Sequence, residues 1–209
     1  MSLSPDRFSG VNAAVLTPVT DDLIPDDALM LEYSQWLMAN GCDGLAILGT
    51  TGEANSFSLK ERIRIIEGLI EGGIPAKSLM PGTGSCALTD AVELTRVAVN
   101  AGCGGVLMLP PFYYKNPSDA GLFRFFSEVI QRVGESSLQI YLYHFPQMSA
   151  TPITYKLIEM LLKEYPDTVC GMKDSSGDLE NMAGAAEGFP GFHVLAGAET
   201  VFLDLLKRG

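Results

Sequence analysis

Histidine occurs only twice in the 209 residues, tryptophan once, and basic side chains are outnumbered 25 to 14 by acidic ones. Each scarcity excludes something. The net charge of −11 repels phosphate backbones and anionic lipid, and no basic cluster offsets it, so neither nucleic acid nor a membrane surface is an expected partner. His144 and His193 have no acidic companions at metal-ligand spacing, so they read as structural and no metal is expected. Cys42, Cys86, Cys103 and Cys170 form no Cys-x-x-Cys pair and lie in or beside apolar runs; buried free thiols in a reducing cytoplasm are expected. No apolar run reaches the roughly 18 residues of a membrane span, and there is no basic-then-apolar signal pattern at the N-terminus. The Gly-Lys-Thr of a phosphate-binding loop and a glycine-rich first turn are both missing, which disfavours nucleotides; no cofactor is expected.

What is present is an alternation. Short apolar stretches over residues 11–16, 45–48, 79–80, 106–109, 138–143, 169–173 and 192–196 read as strands, and each precedes a helical pattern. The caps are legible: Asp26 or Asp27, Ser58 and Ser118 at helix starts, Gly41 and Gly102 after helix ends. In the second helix Leu59, Ile63, Ile66 and Ile70 recur at helical spacing, and the last helix starts at Glu199 and stops at Gly209. Seven strand–helix units predict a parallel sheet in one domain over residues 1–209. A doubly wound sheet would carry a glycine fingerprint at its first turn, whereas here the polar residues Thr50, Thr51, Thr83, Tyr143 and Lys173 gather at the ends of different strands. That predicts a (β/α)8 TIM barrel, truncated after its seventh unit and so lacking the eighth.

Lys173 stands where the buried stretch 169–173 runs into the polar turn Ser175-Ser176-Gly177. Alternation would place Val169, Gly171 and Lys173 on one face, with Gly171 leaving room for the lysine stem. A lysine snorkelling to solvent is the alternative. On a barrel strand, however, a buried lysine suggests imine chemistry, since a neutral amine attacks carbonyl carbon. Tyr143, at the end of the preceding strand, can relay a proton beside it, or can simply pack its ring and wet its hydroxyl. Gly49-Thr50-Thr51-Gly52 offers backbone N–H groups and hydroxyls to a small anion such as a carboxylate. Tyr113 and Tyr114, in a long aromatic loop, suit an interface.

Gly49-Thr-Thr-Gly-Glu53, Tyr143-His-Phe-Pro146 and Gly171-Met-Lys-Asp-Ser-Ser-Gly177, in this order and spacing, resemble the dihydrodipicolinate synthase and N-acetylneuraminate lyase family of Schiff-base pyruvate aldolases. The resemblance covers nearly the whole chain. It implies a barrel with an added helical C-terminal region, which this sequence lacks, and no cofactor. It implies Lys173 as the imine-forming residue, Tyr143 as the relay phenol, Thr50 and Thr51 as binders of the 2-oxo acid carboxylate, and the Thr51 hydroxyl in the relay. It also implies a tyrosine from a neighbouring subunit, Tyr113 or else Tyr114, and hence a homo-oligomer, a dimer or tetramer. Ser175, Gly197 and Glu199 become substrate contacts.

Two departures separate the branches. Synthases carry an arginine five residues after the Tyr143 position, and here Met148 stands there; sialic acid lyases carry two neighbouring acidic residues where Glu199 is followed by Thr200. A lyase or dehydratase acting on a hydroxylated 2-oxo (sugar) acid is therefore the first expectation. Dihydrodipicolinate synthase, and a non-catalytic 2-oxo-acid-binding protein on the same scaffold, are the alternatives.

Overall fold

The computed structural model describes residues 8–208. Among the described residues six strands are formed: β1 (Asn12–Ala14), β2 (Gly44–Ala46), β3 (Val106–Met108), β4 (Ile140–His144), β5 (Val169–Asp174) and β6 (His193–Ala196). Between and after them come α1 (Asp27–Ala39), α2 (Leu59–Glu71), α3 (Leu88–Asn100), α4 (Asp119–Val133), α5 (Pro146–Ser149), α6 (Tyr155–Glu164), α7 (Leu179–Gly188) and α8 (Glu199–Leu206). Cap chemistry sets the helix starts. The Asp26 carboxylate accepts from Leu29 N, Ser58 and Glu61 form a reciprocal capping box, and Ser118 accepts from Gly121 N. Gly209, the expected stop of the last helix, lies outside the described residues. The four-residue α5 was not expected; Pro146 at its first turn opens it.

All strand pairs are parallel, in the orders β1-β2 and β3-β4-β5-β6. The predicted third strand bridges the two sheets. Met80 N and Gly82 N donate to Leu45 O and Ile47 O on one side, while Gly104 N and Leu107 N donate to Leu79 O and Pro81 O on the other. Pro81 has no N–H to give β3, so the ladder breaks there and the segment keeps isolated bridges. Seven parallel segments thus lie side by side in chain order without reversal, which excludes the doubly wound arrangement and is the winding of a (β/α) barrel. Among the described residues no strand bridges β6 and β1, and these two edges are only half-buried whereas β2 to β5 are buried. An apolar groove of about 610 Å³ follows the open side, lined by Phe192, Val194, Phe202 and Leu206 among others.

Two apolar layers fill the space between strands and helices, one around Leu45, Ile65, Ile66 and Leu69, the other around Phe126, Ile140, Leu157 and Met172. The helix phase expected for α2 is corrected: its buried positions are Arg62, Ile65, Ile66 and Leu69, while Leu59, Ile63 and Ile70 are only partly buried. A third cluster fills the barrel: Phe8, Ala46, Met80, Leu107, Tyr141, Tyr143 and Cys170. Phe8 closes its lower end, where Cβ atoms at Gly44 or Gly104 would collide with its ring. Of the four cysteines only Cys170 is buried; Cys86 is exposed, and Cys42 and Cys103 are intermediate. The expectation of four buried thiols is corrected because Cys86 sits in the loop before α3 rather than under it.

Candidate active site

The β4–β5 register skips a residue: Ile140 pairs with Val169, and Tyr141 with Gly171. Cys170 is the extra residue, and it turns into the barrel while Val169 packs in the outer layer. The strict alternation read from the sequence is therefore broken, and Val169 does not share a face with Lys173. Beyond the bulge the ladder is regular, and it pairs Tyr143 with Lys173 and His144 with Asp174. Lys173 Nζ lies 4.9 Å from the Tyr143 ring centroid. The phenol, 3% exposed, donates to Thr50 Oγ1 at 3.3 Å. Lys173 also lines a cavity of about 380 Å³ with Asn12, Ala46, Met80 and Leu195. Tyr143 lines a separate small space of about 10 Å³ beside Thr50 and Arg62.

Thr50 is aimed by a sharp exit from β2. Leu48, 1% exposed, has φ 54°, a left-handed conformation that costs a leucine on the order of 1–3 kcal/mol and is held by its surroundings. Gly82 passes so close that a Cβ there would come 1.9 Å from Leu48 O. Beneath, the Arg62 guanidinium is buried and donates to Gly82 O at 2.8 Å and Gly84 O at 3.2 Å. Burial pushes Arg62 down to about 10, against the opposing pull of Asp90. Thr51 is exposed, and no hydrogen bond joins it to Tyr143 or Lys173 among the described residues. Thr83 is turned away, accepting from Thr95 Oγ1 on α3 at 3.0 Å.

Room for the lysine stem comes from Gly197. A Cβ at position 197 would meet Ser175 Oγ at 2.2 Å and Lys173 Cε at 3.1 Å. The role expected of Gly171 is corrected: a Cβ there would strike His193 O of β6 at 2.2 Å, so that glycine allows close strand pairing. Ser175, Gly197 and Lys173 thus converge, whereas Glu199 is exposed at the start of α8. Tyr113 and Tyr114 stack edge-to-face with centroids 5.2 Å apart and are 71% and 83% exposed, and Met148 on α5 is 60% exposed. No cluster of three or more potential metal ligands occurs among the described residues, and no described helix is long and apolar enough to cross a membrane.

On the outer face of the same strands, Asp174 is fully buried, and His144 Nδ1 accepts from Ile153 N at 3.0 Å. Burial lowers the His144 pKa more than Asp174 and Asp178 raise it. Sequence reasoning missed Leu48, Arg62, Gly82 and Asp174. Arg62 carried a signal, since it lies three and four residues before Ile65 and Ile66 on the true core face of α2.

A family model described as the dihydrodipicolinate synthetase family matches residues 7–209. An uncharacterized DapA-like lyase of Chloroflexus aurantiacus is 36% identical over 201 residues, covering 96% of this chain and 67% of that protein. The crystal structure of dihydrodipicolinate synthase from Agrobacterium tumefaciens is similar with TM-score 0.89 at 31% identity, over 96% of this chain and 70% of that one. A prophage protein of the dihydrodipicolinic acid synthase family from E. coli K12, solved in complex with pyruvate, gives TM-score 0.86 at 28% identity, over 97% of this chain and 67% of that one. The chain spans about two thirds of the length of these relatives. Its winding, its strand-end polar residues and these matches agree that it has the TIM-barrel fold and belongs to the dihydrodipicolinate synthetase family of lyases and aldolases.

Proposed function

We propose that the chain is a class I, Schiff-base lyase in which Lys173 forms an imine with pyruvate or another 2-oxo acid. The lysine amine adds to the C2 carbonyl, the carbonyl oxygen leaves as water, and the imine accepts the electron pair released when a neighbouring C–C bond breaks or a hydroxyl departs. Tyr143 moves the proton between the carbinolamine and the leaving oxygen, with Thr50 accepting its hydrogen bond. The backbone N–H groups and hydroxyls of Thr50 and Thr51 bind the substrate carboxylate. Tyr113 of an adjoining subunit completes the relay, in a soluble cytoplasmic homo-oligomer. Ser175, Gly197 and Glu199 bound the space for the rest of a hydroxylated 2-oxo acid.

The observation that carries this reading is the placement of Lys173 Nζ 4.9 Å from the Tyr143 ring, with the phenol turned to Thr50 at 3.3 Å. A relative solved with pyruvate supports the substrate class. The test is borohydride reduction with pyruvate followed by peptide mass spectrometry. A reduced pyruvate adduct on Lys173 is expected, and its absence from folded protein sinks the proposal. The name of the Agrobacterium tumefaciens neighbour favours a second reading, condensation of pyruvate with aspartate semialdehyde. Met148, which cannot hold a second carboxylate as a cation would, weighs against it; rapid turnover of aspartate semialdehyde would reverse that order.

A further inference from the structure

We infer that Asp174 is the positioning residue for Lys173, holding the exit of the lysine strand from the side opposite the substrate; this rests on the imine reading above. Asp174 is 0% exposed and has no basic side chain within ion-pair distance among the described residues. A buried carboxylate is costly unless its oxygens are satisfied, and these are. Oδ1 accepts from Ser176 N at 2.7 Å and Oδ2 from Asn181 Nδ2 at 2.6 Å. The first bond closes the turn that begins at Ser175, and the second ties that turn to α7. The backbone carbonyl of Asp174 accepts from Gly197 N at 2.7 Å, drawing the β6 exit in.

Gly197 is the residue on which Lys173 Cε and Ser175 Oγ converge. The Asp174 side chain therefore fixes two segments beside the lysine stem, the turn and α7, while the backbone carbonyl of the same residue holds the β6 exit. Asp174 points to the helix layer, where its register partner is His144, so it acts on the site through the backbone and touches no substrate. A misplacement of about 1 Å at a reacting amine can cost on the order of 100-fold in rate.

The test measures the rate of pyruvate imine formation by rapid borohydride quench in the full chain, alongside the pyruvate concentration for half-saturation. Asp174→Ala is expected to slow imine formation by on the order of 10- to 100-fold while half-saturation moves by less than about threefold. Asp174→Asn should recover most of that rate. Its amide keeps the acceptor for Ser176 N, and rotation of the Asn181 amide restores the second bond. Should Asp174→Ala fail to fold, Asn181→Leu removes only the α7 link and is expected to slow imine formation by about tenfold. Wild-type imine rates in folded Asp174→Ala, or in Asn181→Leu, overturn the inference, as does an Asp174→Asn protein no faster than Asp174→Ala. Failure of the wild-type chain to trap pyruvate at all would instead strike the imine reading, so the two failures are distinguishable.

Discussion

Tyr143 and Lys173 are partners across the β4–β5 ladder, and the lysine Nζ stands 4.9 Å from the tyrosine ring centroid while the phenol reaches away to Thr50. The ring thus packs against the amine while its hydroxyl remains free to exchange a proton. Tyr143→Phe keeps the packing and removes the proton. We expect kcat to fall about 100- to 10,000-fold, and the denaturation midpoint to move by no more than the ~1 kcal/mol of one hydrogen bond. Steady-state kinetics with urea unfolding separate the two, and an unchanged kcat would remove Tyr143 from the relay.

Gly197→Ala adds one methyl group at a place where Ser175 Oγ and Lys173 Cε already stand 2.2 and 3.1 Å from the new atom. Those two are mobile side-chain atoms, but the backbone Asp174 O stands 2.9 Å away as well, so the half-buried β6 exit must also shift; the protein should lose about 1–3 kcal/mol of stability, with the lysine displaced. Imine trapping should slow more than tenfold. Trapping at the wild-type rate would show that the lysine has room to spare.

Stability should fall in mild acid through His144. Its folded pKa is lowered from 6.5, chiefly by burial, so the unfolded chain binds the extra proton first. The contribution is fully present above about 6.5 and is lost as pH falls from there through the folded value. Unfolding curves between pH 7 and 5 should show the decline, and His144→Asn, which offers Ile153 N another acceptor, should flatten it.

Arg62→Met removes the donor to Gly82 O and Gly84 O and leaves two carbonyls to find new partners. Against that stands the relief of a buried cation whose pKa is pushed down to about 10. The orphaned carbonyls should dominate, for a net loss of about 2 kcal/mol by urea unfolding. A gain in stability would show that the buried charge was the larger cost.

Tyr113 and Tyr114, 71% and 83% exposed, offer a test across subunits. Mixing inactive Lys173→Ala and Tyr113→Phe proteins in equal amounts should restore up to about a quarter of wild-type activity, because half of the dimers are then hybrids and one of the two sites in each holds both native residues. Recovery with Tyr114→Phe instead would move the role by one residue. No recovery with either places the tyrosine in its own subunit.

Much was legible in the sequence because it is local. The strand–helix alternation, the caps at Asp26, Ser58 and Ser118, and the polar residues at strand ends all follow from periodicity and side-chain chemistry within a few residues. Those signals implied the barrel and placed Lys173, Tyr143 and Thr50 at one end of it. Tertiary structure decided whatever depends on how strands approach one another. The bulge at Cys170 sets which residues share the lysine's face, and no single-strand alternation can show a two-against-one pairing. Pro81 reduced a strand to bridges, since a missing N–H matters only where a neighbour waits for it. Gly197 rather than Gly171 makes room for Lys173, because the relevant distance runs between β5 and the exit of β6, chain segments more than twenty residues apart. Asp174 looked like a polar residue beside the lysine, and burial with two donors converging on it arises only when α7 folds over the strand end.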